Sequence, residues 1–298
     1  MIGTVLRYFD GGDWIVLYRE RETKDFHQLQ GQKNYWYADP FLLEYNGKTF
    51  LLTEAFDNRT QIGKIAVSEE LDGTFEKPVI LIENMYHMSY PCVFEYKGKV
   101  YILPETGESK RLELYEFDDF PKPHYTKYVL LEGVRYDDCT VLSLDTGIHI
   151  WAYDDRHNRS LLYSLDLSTK QVKLLYARDY KEKKHRPAGA LYEENGKLFR
   201  PSQNCTESYG GSLLLNEIVD IACLKDRMIH EYKPEDVSEC YTKLHTYNRS
   251  SRFETIDVFL PQKGIGCFID NIKRKIHRMK MEKNCDEAYS YCNYNRCC

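Results

Sequence analysis

Short apolar runs separated by glycine-containing turns recur along most of the chain. In the first clear example, apolar residues at 40–45 lead through an Asn-Gly turn at 46–48 to a second apolar run at 49–52. Two such runs around an Asn-Gly turn predict a β-hairpin. Because hairpin strands are antiparallel, Asp39 before the first run and Glu54 after the second should lie at the same open end.

The hairpin pattern recurs three more times at a nearly constant interval. The equivalent first-strand positions are separated by 51, 48 and 48 residues, at Asp39, Tyr90, Asp138 and Arg186. The second strand of each copy ends 15 residues further on, at Glu54, Glu105, Tyr153 and Pro201. A weaker fifth copy begins at residues 244–248. A strand-rich repeat of about 50 residues is typical of β-propellers, which place one four-stranded sheet in each repeat. The sequence therefore predicts an all-β fold, a five-bladed β-propeller.

The chain divides into three parts on this interpretation. Residues 1–30 form a lead-in, in which a strand at 13–18 could close the ring against the last blade. Residues 31–269 form the propeller, and residues 270–298 form a basic tail that contains cysteines. The spacing of the tail cysteines matches no zinc-binding pattern. The tail is therefore expected to be mobile or to dock a partner.

Composition narrows the class of protein. The net charge of −5 and the pI of about 6.0 do not indicate a nucleic-acid partner. No apolar run is long enough to span a membrane, and the first residues lack the long apolar segment of a signal peptide. A cytoplasmic protein with reduced cysteines is therefore expected. The 25 tyrosines suit β-strands and also surfaces that stack against sugars.

Residues at one end of the predicted channel carry the candidate chemistry. In a propeller, the first strand of each blade lines the central channel, so the start of that strand and the end of the second strand ring one mouth. Four candidate catalytic carboxylates meet this criterion: Asp39, Glu54, Glu105 and Asp138. The candidate substrate-binding side chains are aromatic, basic or amide-bearing: Trp36, His87, Tyr90, His185, Arg186, Arg200, Gln203, Tyr209 and His245.

Clustered carboxylates can persist when one is held ionised and another protonated. Glycoside hydrolysis needs this division, because a charged base or nucleophile and a neutral acid flank the glycosidic oxygen. Arg186 could hold one carboxylate ionised through charge-assisted hydrogen bonds. The alternative is structural, with the aspartates accepting hydrogen bonds from backbone amides at strand starts. The same oxygens could hold a divalent metal, but no spacing selects one and no cofactor is predicted.

Several short motifs in a fixed order resemble one family. They are ADPF at 38–41, GKIAVS at 63–68, SYP at 89–91, PET at 104–106, RPAG at 186–189 and RPSQN at 200–204. Together they are similar to the N-terminal domain of plant glucosamine inositolphosphorylceramide transferases and its stand-alone bacterial relatives. The wider superfamily that the chain resembles comprises the five-bladed propellers of arabinanases, xylosidases, invertases and levansucrases.

The resemblance implies a sugar-related role and suggests functions for individual residues. Asp39 matches the blade-one aspartate that acts as base or nucleophile in the wider superfamily. That pattern expects an acidic residue where Tyr90 stands and an acid glutamate near Asp138. Glu105 would supply the missing acid, and Glu54 would help to tune pKa values and orient the sugar.

Three functions remain open at this point. The first is a carbohydrate-active enzyme that transfers or hydrolyses a glycosyl unit in polysaccharide or glycoconjugate metabolism. The second is a non-catalytic module that binds a sugar or sugar nucleotide for a separate glycosyltransferase. The third, a scaffold for protein partners, fits less well because the cores of protein interfaces are depleted in charged residues.

Overall fold

The computed structural model describes residues 10–144, 146–263, 269, 272, 273, 275 and 276. Its strands form five antiparallel sheets, which are the blades of a five-bladed β-propeller. The predicted fold class is therefore confirmed. Most of the predicted basic tail, including its cysteines, lies outside the described residues. No helix among the described residues combines the length and the apolarity needed to cross a bilayer.

The strands follow the chain from blade one to blade five. Blade one contains β3 (Tyr35–Tyr45), β4 (Lys48–Asp57), β5 (Ile62–Leu71), β6 (Thr74–Phe75) and β7 (Val79–Ile82). Blade two contains β8 (Ser89–Tyr96), β9 (Lys99–Glu105), β10 (Arg111–Phe117) and β11 (Tyr125–Glu132). Blade three contains β12 (Asp137–Leu144), β13 (Gly147–Asp154), β14 (Arg159–Asp166) and β15 (Gln171–Asp179).

Blade four begins with a short strand. Blade five combines strands from the start and from the end of the propeller sequence. Blade four contains β16 (Arg186–Pro187), β17 (Tyr192–Glu194), β18 (Lys197–Asn204), β19 (Ser212–Asp220) and β20 (Lys225–Tyr232). Blade five contains β21 (Lys243–Arg249) and β22 (Phe253–Lys263) together with the early strands β1 (Asp10–Glu20) and β2 (His27–Gln28). Strand β1 pairs with β22 along its whole length, so the start of the described chain closes the ring against its last blade.

The hydrophobic core lies between neighbouring blades. One cluster joins Phe41 and Leu52 of blade one to Val100 and Ile102 of blade two, all almost fully buried. A second cluster joins blades two and three in the same way. Neighbouring sheets therefore pack face to face. This packing removes the apolar surface between the blades from water.

The first strands share a β-bulge at the residues that the repeat spacing aligned. The register shifts between Ala38 and Phe41 in blade one, and the same two-residue interruption occurs in blades two, three and five. The bulge residues Asp39, Tyr90 and Asp138 have left-handed φ angles of 50°, 44° and 51°. A bulge bends the strand and changes the direction of a side chain. It therefore turns these three side chains out of the regular alternation of the strand.

The Tyr90 side chain runs from blade two to blade four inside the ring. It is fully buried, and its hydroxyl accepts a hydrogen bond from the N–H of Gly189 at 2.6 Å. The same hydroxyl lies 2.8 Å from Thr140 Oγ1 of blade three. A Cβ on Gly189 would lie 2.0 Å from the carbonyl oxygen of Tyr247, so only glycine fits there.

Asn248 of blade five completes this buried polar cluster. Its amide group donates to the carbonyl of Pro40 in blade one at 2.7 Å and accepts from the N–H of Ala190 at 2.7 Å. Buried polar groups of this kind stabilise a fold only when they are paired. All five blades are therefore tied together near the axis by hydrogen bonds.

We expect Tyr90→Phe to lower the free energy of unfolding by about 1–3 kcal/mol, because it leaves the buried N–H of Gly189 without its acceptor. Urea denaturation at pH 7 measures this change. The control is Tyr45→Phe, whose hydroxyl donates to the Gly98 carbonyl at an exposed position. That substitution should change stability by about 0.5 kcal/mol or less. Equal effects of the two substitutions would contradict a role for Tyr90 in joining the blades.

Candidate active site

Asp39 lies at the bulge of β3, the first strand of blade one, and is only 4% exposed. Its Oδ2 accepts a hydrogen bond from the N–H of Tyr90 in the next blade at 3.0 Å. Its Oδ1 accepts a hydrogen bond from Thr246 Oγ1 of blade five at 2.8 Å. The backbone N–H of Asp39 donates to Asp257 Oδ2 at 2.8 Å. The Asp39 carboxylate thus bonds to both neighbouring blades.

The charge state of Asp39 depends on its buried surroundings. Burial is the largest cause of a rise in its pKa, the positive charge of His245 opposes this rise, and the negative charges of Asp138 and Asp257 add to it. The net result is a pKa of about 6. A carboxyl group with a pKa of about 6 can exist in both protonation states near neutral pH.

His245 links Asp39 to Asp257, a residue that the sequence did not single out. Its Nδ1 lies 2.7 Å from Asp257 Oδ1, and its Nε2 lies 3.6 Å from Asp39 Oδ1. The imidazole stacks on the indole of Trp14, with ring centroids 3.9 Å apart. Burial would lower the pKa of His245, but the charges of Asp257 and Asp39 outweigh burial and raise it. His245 therefore favours the imidazolium form between two carboxylates.

These three side chains are also the candidate metal ligands. Among the described residues, Asp39, His245 and Asp257 form the one group of three that offers ligand atoms within 4.8 Å of one another. Carboxylate oxygens and imidazole suit several divalent ions. An ion bound by all three would replace the hydrogen bond between His245 and Asp257.

A second acidic group surrounds Arg186 of blade four. Its Nε donates a short hydrogen bond to Asp138 Oδ2, which also accepts from Gln203 Nε2 at 2.9 Å. One terminal nitrogen of Arg186 lies 3.5 Å from Glu105 Oε2, and the other lies 3.7 Å from Asp137 Oδ1. The N–H of Asp138 donates to Glu105 Oε2 at 3.3 Å. The single guanidinium of Arg186 therefore interacts with three carboxyl groups.

A single positive charge cannot balance three buried carboxylates. Burial raises the pKa of Glu105 well above its usual value, and the charges of Asp138 and Asp137 raise it further, while Arg186 opposes the rise. Burial also raises the pKa of Asp137, which Arg186 again opposes. The Glu105 side chain remains 16% exposed. Its raised pKa favours the neutral carboxyl form of Glu105, and the side chain retains access to solvent.

Tyr209 connects the two acidic groups. Its ring lies 5.1 Å from the guanidinium carbon of Arg186 and 5.3 Å from the imidazole centroid of His245. Tyr209 is 42% exposed, so one part of the ring is open to solvent. An exposed aromatic ring beside hydrogen-bonding groups is a suitable surface for stacking a sugar.

Three other candidates lie beside the first two blades. His87 Nε2 is 3.5 Å from Glu54 Oε1, and His87 Nδ1 accepts a hydrogen bond from the N–H of Gly63. Trp36 stacks on Phe56 with ring centroids 4.5 Å apart. The structure therefore groups Trp36, Glu54 and His87 around the second strand of blade one.

Arg200 and His185 lie inside blade four. Arg200 is 1% exposed, pairs with Asp226 at 2.6 Å and packs over the ring of Trp151 at 4.3 Å. His185 stacks on Tyr180, and burial together with the charge of Arg200 lowers its pKa to about 4. Asp226 therefore already neutralises the charge of Arg200, and the acidic residues around Arg186 are not its ion-pair partners.

The raised pKa values predict how stability depends on pH. Asp39, Glu105, Asp137 and His245 all bind a proton more tightly in the folded protein than in the unfolded chain. Their contributions are therefore present at low pH and are lost as the pH rises through the folded-state values. We expect the joint contribution of these four groups to the free energy of unfolding to decrease between about pH 4.5 and 8, while His185, whose pKa is lowered to about 4, contributes in the opposite direction.

Urea denaturation at several pH values tests this expectation. Asp39→Asn should remove the part of the decrease that falls between the ordinary aspartate pKa of 3.8 and the folded-state value of about 6. Glu132→Gln, at a side chain that is 71% exposed, is the control and should leave the profile unchanged. A difference in stability between the wild type and Asp39→Asn that does not change across this range would contradict the raised pKa of Asp39.

The structure thus defines a five-bladed propeller with two acidic groups, one around His245 and one around Arg186. Residues 24–263 match the family model of the N-terminal domain of glucosamine inositolphosphorylceramide transferase 1, so the chain belongs to this family. The resemblance drawn from the sequence motifs is confirmed. The glucosamine inositolphosphorylceramide transferase 1 of indica rice is 30% identical over 201 residues, which cover 63% of this chain and 27% of the rice protein. The Arabidopsis thaliana protein of the same name is 27% identical over 202 residues, which cover 61% of this chain and 25% of that protein.

The chain spans about a quarter of the length of these plant relatives. Solved structures with the same fold include an exo-β-1,3-galactanase from Clostridium thermocellum, with a TM-score of 0.57 and 13% identity, covering 83% of this chain and 63% of that chain. An exo-β-1,3-galactanase from Phanerochaete chrysosporium has a TM-score of 0.56 and 10% identity, covering 85% of this chain and 67% of that chain. These similarities show the fold.

Proposed function

We propose that the channel mouth binds a saccharide or sugar nucleotide and acts on its glycosyl bond by transfer or hydrolysis. One observation carries this proposal: the partly exposed Glu105, whose pKa burial raises, lies beside the ion pair of Asp138 and Arg186. Glycosyl chemistry requires a neutral acid for the leaving oxygen and a charged carboxylate on the other side. In this proposal Glu105 is the general acid and Asp39 is the base or nucleophile.

The remaining side chains of the mouth would bind and orient the sugar. Arg186 and Asp138 offer charged hydrogen-bonding groups, and Tyr209 offers an exposed ring. Glu54 and His87 would contact the sugar from blades one and two. The names of the plant relatives, which specify transfer of glucosamine, and of the galactanases, which specify cleavage of galactan, support a sugar ligand.

A second candidate function is sugar binding without catalysis. Both oxygens of Asp39 already accept hydrogen bonds from Tyr90 and Thr246, and the side chain is almost fully buried. Tyr90 also occupies the blade-two position where the wider superfamily pattern expects an acid. Under this proposal, the domain presents a saccharide or sugar nucleotide to a separate glycosyltransferase.

Thermal unfolding with defined probes tests both functions. The probes are galactose, β-1,3-galactobiose, glucosamine and uridine-diphosphate glucosamine, each with and without magnesium or calcium. A ligand at about 100 times its Kd should stabilise the protein by roughly 2.7 kcal/mol. Incubation of any stabilising probe, followed by chromatography of the products, separates turnover from binding. No stabilisation by any probe would reject both candidate functions for this set of sugars.

A further inference from the structure

We propose that Asp257 is a positioning residue, which holds Asp39 and His245 in place and couples closure of the ring to the arrangement of the channel mouth. The proposal takes the proposed function as the reason why this arrangement matters. Asp257 is fully buried, so it acts through its neighbours and touches no substrate.

The hydrogen bonds of Asp257 converge from two blades. Its Oδ2 accepts from the N–H of Asp39 in blade one at 2.8 Å. Its Oδ1 accepts from the N–H of Thr246 at 2.8 Å and from the N–H of His245 at 3.3 Å, both in blade five. One carboxylate therefore fixes the bulges of two first strands, which set the directions of the side chains there.

Asp257 also fixes the orientation of the His245 ring. A carboxylate can only accept hydrogen bonds, so the 2.7 Å contact between Asp257 Oδ1 and His245 Nδ1 requires a proton on Nδ1. The other ring nitrogen, Nε2, then faces Asp39 Oδ1. Stacking on Trp14 keeps the imidazole plane in this orientation.

The place of Asp257 in the chain links this geometry to ring closure. Asp257 lies on β22, opposite Val16 of the ring-closing strand β1, and Trp14 lies on the same strand β1. Strand β22 therefore contacts the mouth through Asp257 while pairing with the strand that closes the propeller. Loosening of this pairing would displace the carboxylate that orients Asp39 and His245.

Nitrogen NMR of protein labelled at histidine tests the proposal directly. In the wild type, His245 should carry its Nδ1 proton in a strong hydrogen bond, seen as a downfield proton coupled to Nδ1. Asp257→Asn should shift or remove this signal. The matched control is Glu254→Gln on the same strand, which weakens the part-buried pair with Arg19 and leaves an acceptor for the Tyr247 hydroxyl, but makes none of the contacts of Asp257. It should leave the His245 signals unchanged.

Binding of the sugar probes supplies the second measurement. Asp257→Asn should weaken the binding of any stabilising probe about tenfold or more, as the loss of a charged hydrogen bond does, and Glu254→Gln should not. If no probe binds but the His245 signals respond as expected, the proposed function fails and the positioning role stands. A wild-type His245 without a proton on Nδ1 would overturn the proposal, and this result does not depend on whether the Asp257→Asn variant folds.

Discussion

Replacing Arg186 with methionine is expected to lower the free energy of unfolding by about 3–5 kcal/mol at pH 7. The guanidinium is the cation shared by Asp138, Glu105 and Asp137. Its removal leaves these carboxyl groups buried without a positive partner, which is far more costly than the loss of an exposed ion pair. Urea denaturation at pH 7 measures the loss.

Two further observations make the Arg186 prediction specific. Because burial raises the pKa of Asp137, this carboxyl group loses its charge as the pH falls, and the deficit of the variant should shrink as the pH is lowered toward about 4. The control is Arg159→Met, which removes the exposed pair with Asp179 and should cost far less, because exposed ion pairs are screened by solvent. A deficit of equal size for both variants, or one that does not depend on pH, would contradict the shared role of Arg186.

The fold could be predicted from sequence because a propeller repeats one local pattern. Alternation of apolar residues and Asn-Gly or Lys-Gly turns specifies each hairpin, and the interval between copies specifies the ring. The bulge positions Asp39, Tyr90 and Asp138 were aligned correctly for the same reason, since their hairpins have equal lengths. Regular spacing thus carries information about which side chains face the axis.

Residues in irregular blades were harder to find. Asp257 lies opposite the bulge of its own blade, 12 residues after His245, whereas the equivalent positions in blades one to three follow their bulge residues by 14. A search at the fixed offset of 14 residues therefore misses Asp257. The sequence predicted Arg200 at the channel mouth because it lies 14 residues after Arg186, near the end of the second strand of blade four. Its actual partners, Asp226 and Trp151, are contacts between distant chain segments that no local pattern reveals.

The Glu105→Gln variant should lose about 10²–10⁴-fold in turnover of any glycosyl substrate, because glutamine cannot donate the proton that the leaving oxygen needs. Its fold should be unharmed. Burial raises the pKa of Glu105 and favours its neutral carboxyl form, and the glutamine amide has nearly the same shape and charge as that form. Product chromatography under saturating substrate measures the loss, and urea denaturation at pH 7 should show stability equal to or above that of the wild type.

Comparison with two further variants shows whether this loss is chemical. Asp39→Asn should lose turnover by a similar factor if Asp39 is the base or nucleophile, whereas Glu132→Gln at the exposed edge of blade two should retain full activity. Full turnover in Glu105→Gln would reject its role as the acid. If the wild type binds a sugar without turnover and Glu105→Gln binds it equally well, the acidic mouth serves recognition. The raised pKa of Glu105 would then favour a carboxyl group that donates a hydrogen bond to a sugar hydroxyl, because a protonated acid can donate where a carboxylate can only accept.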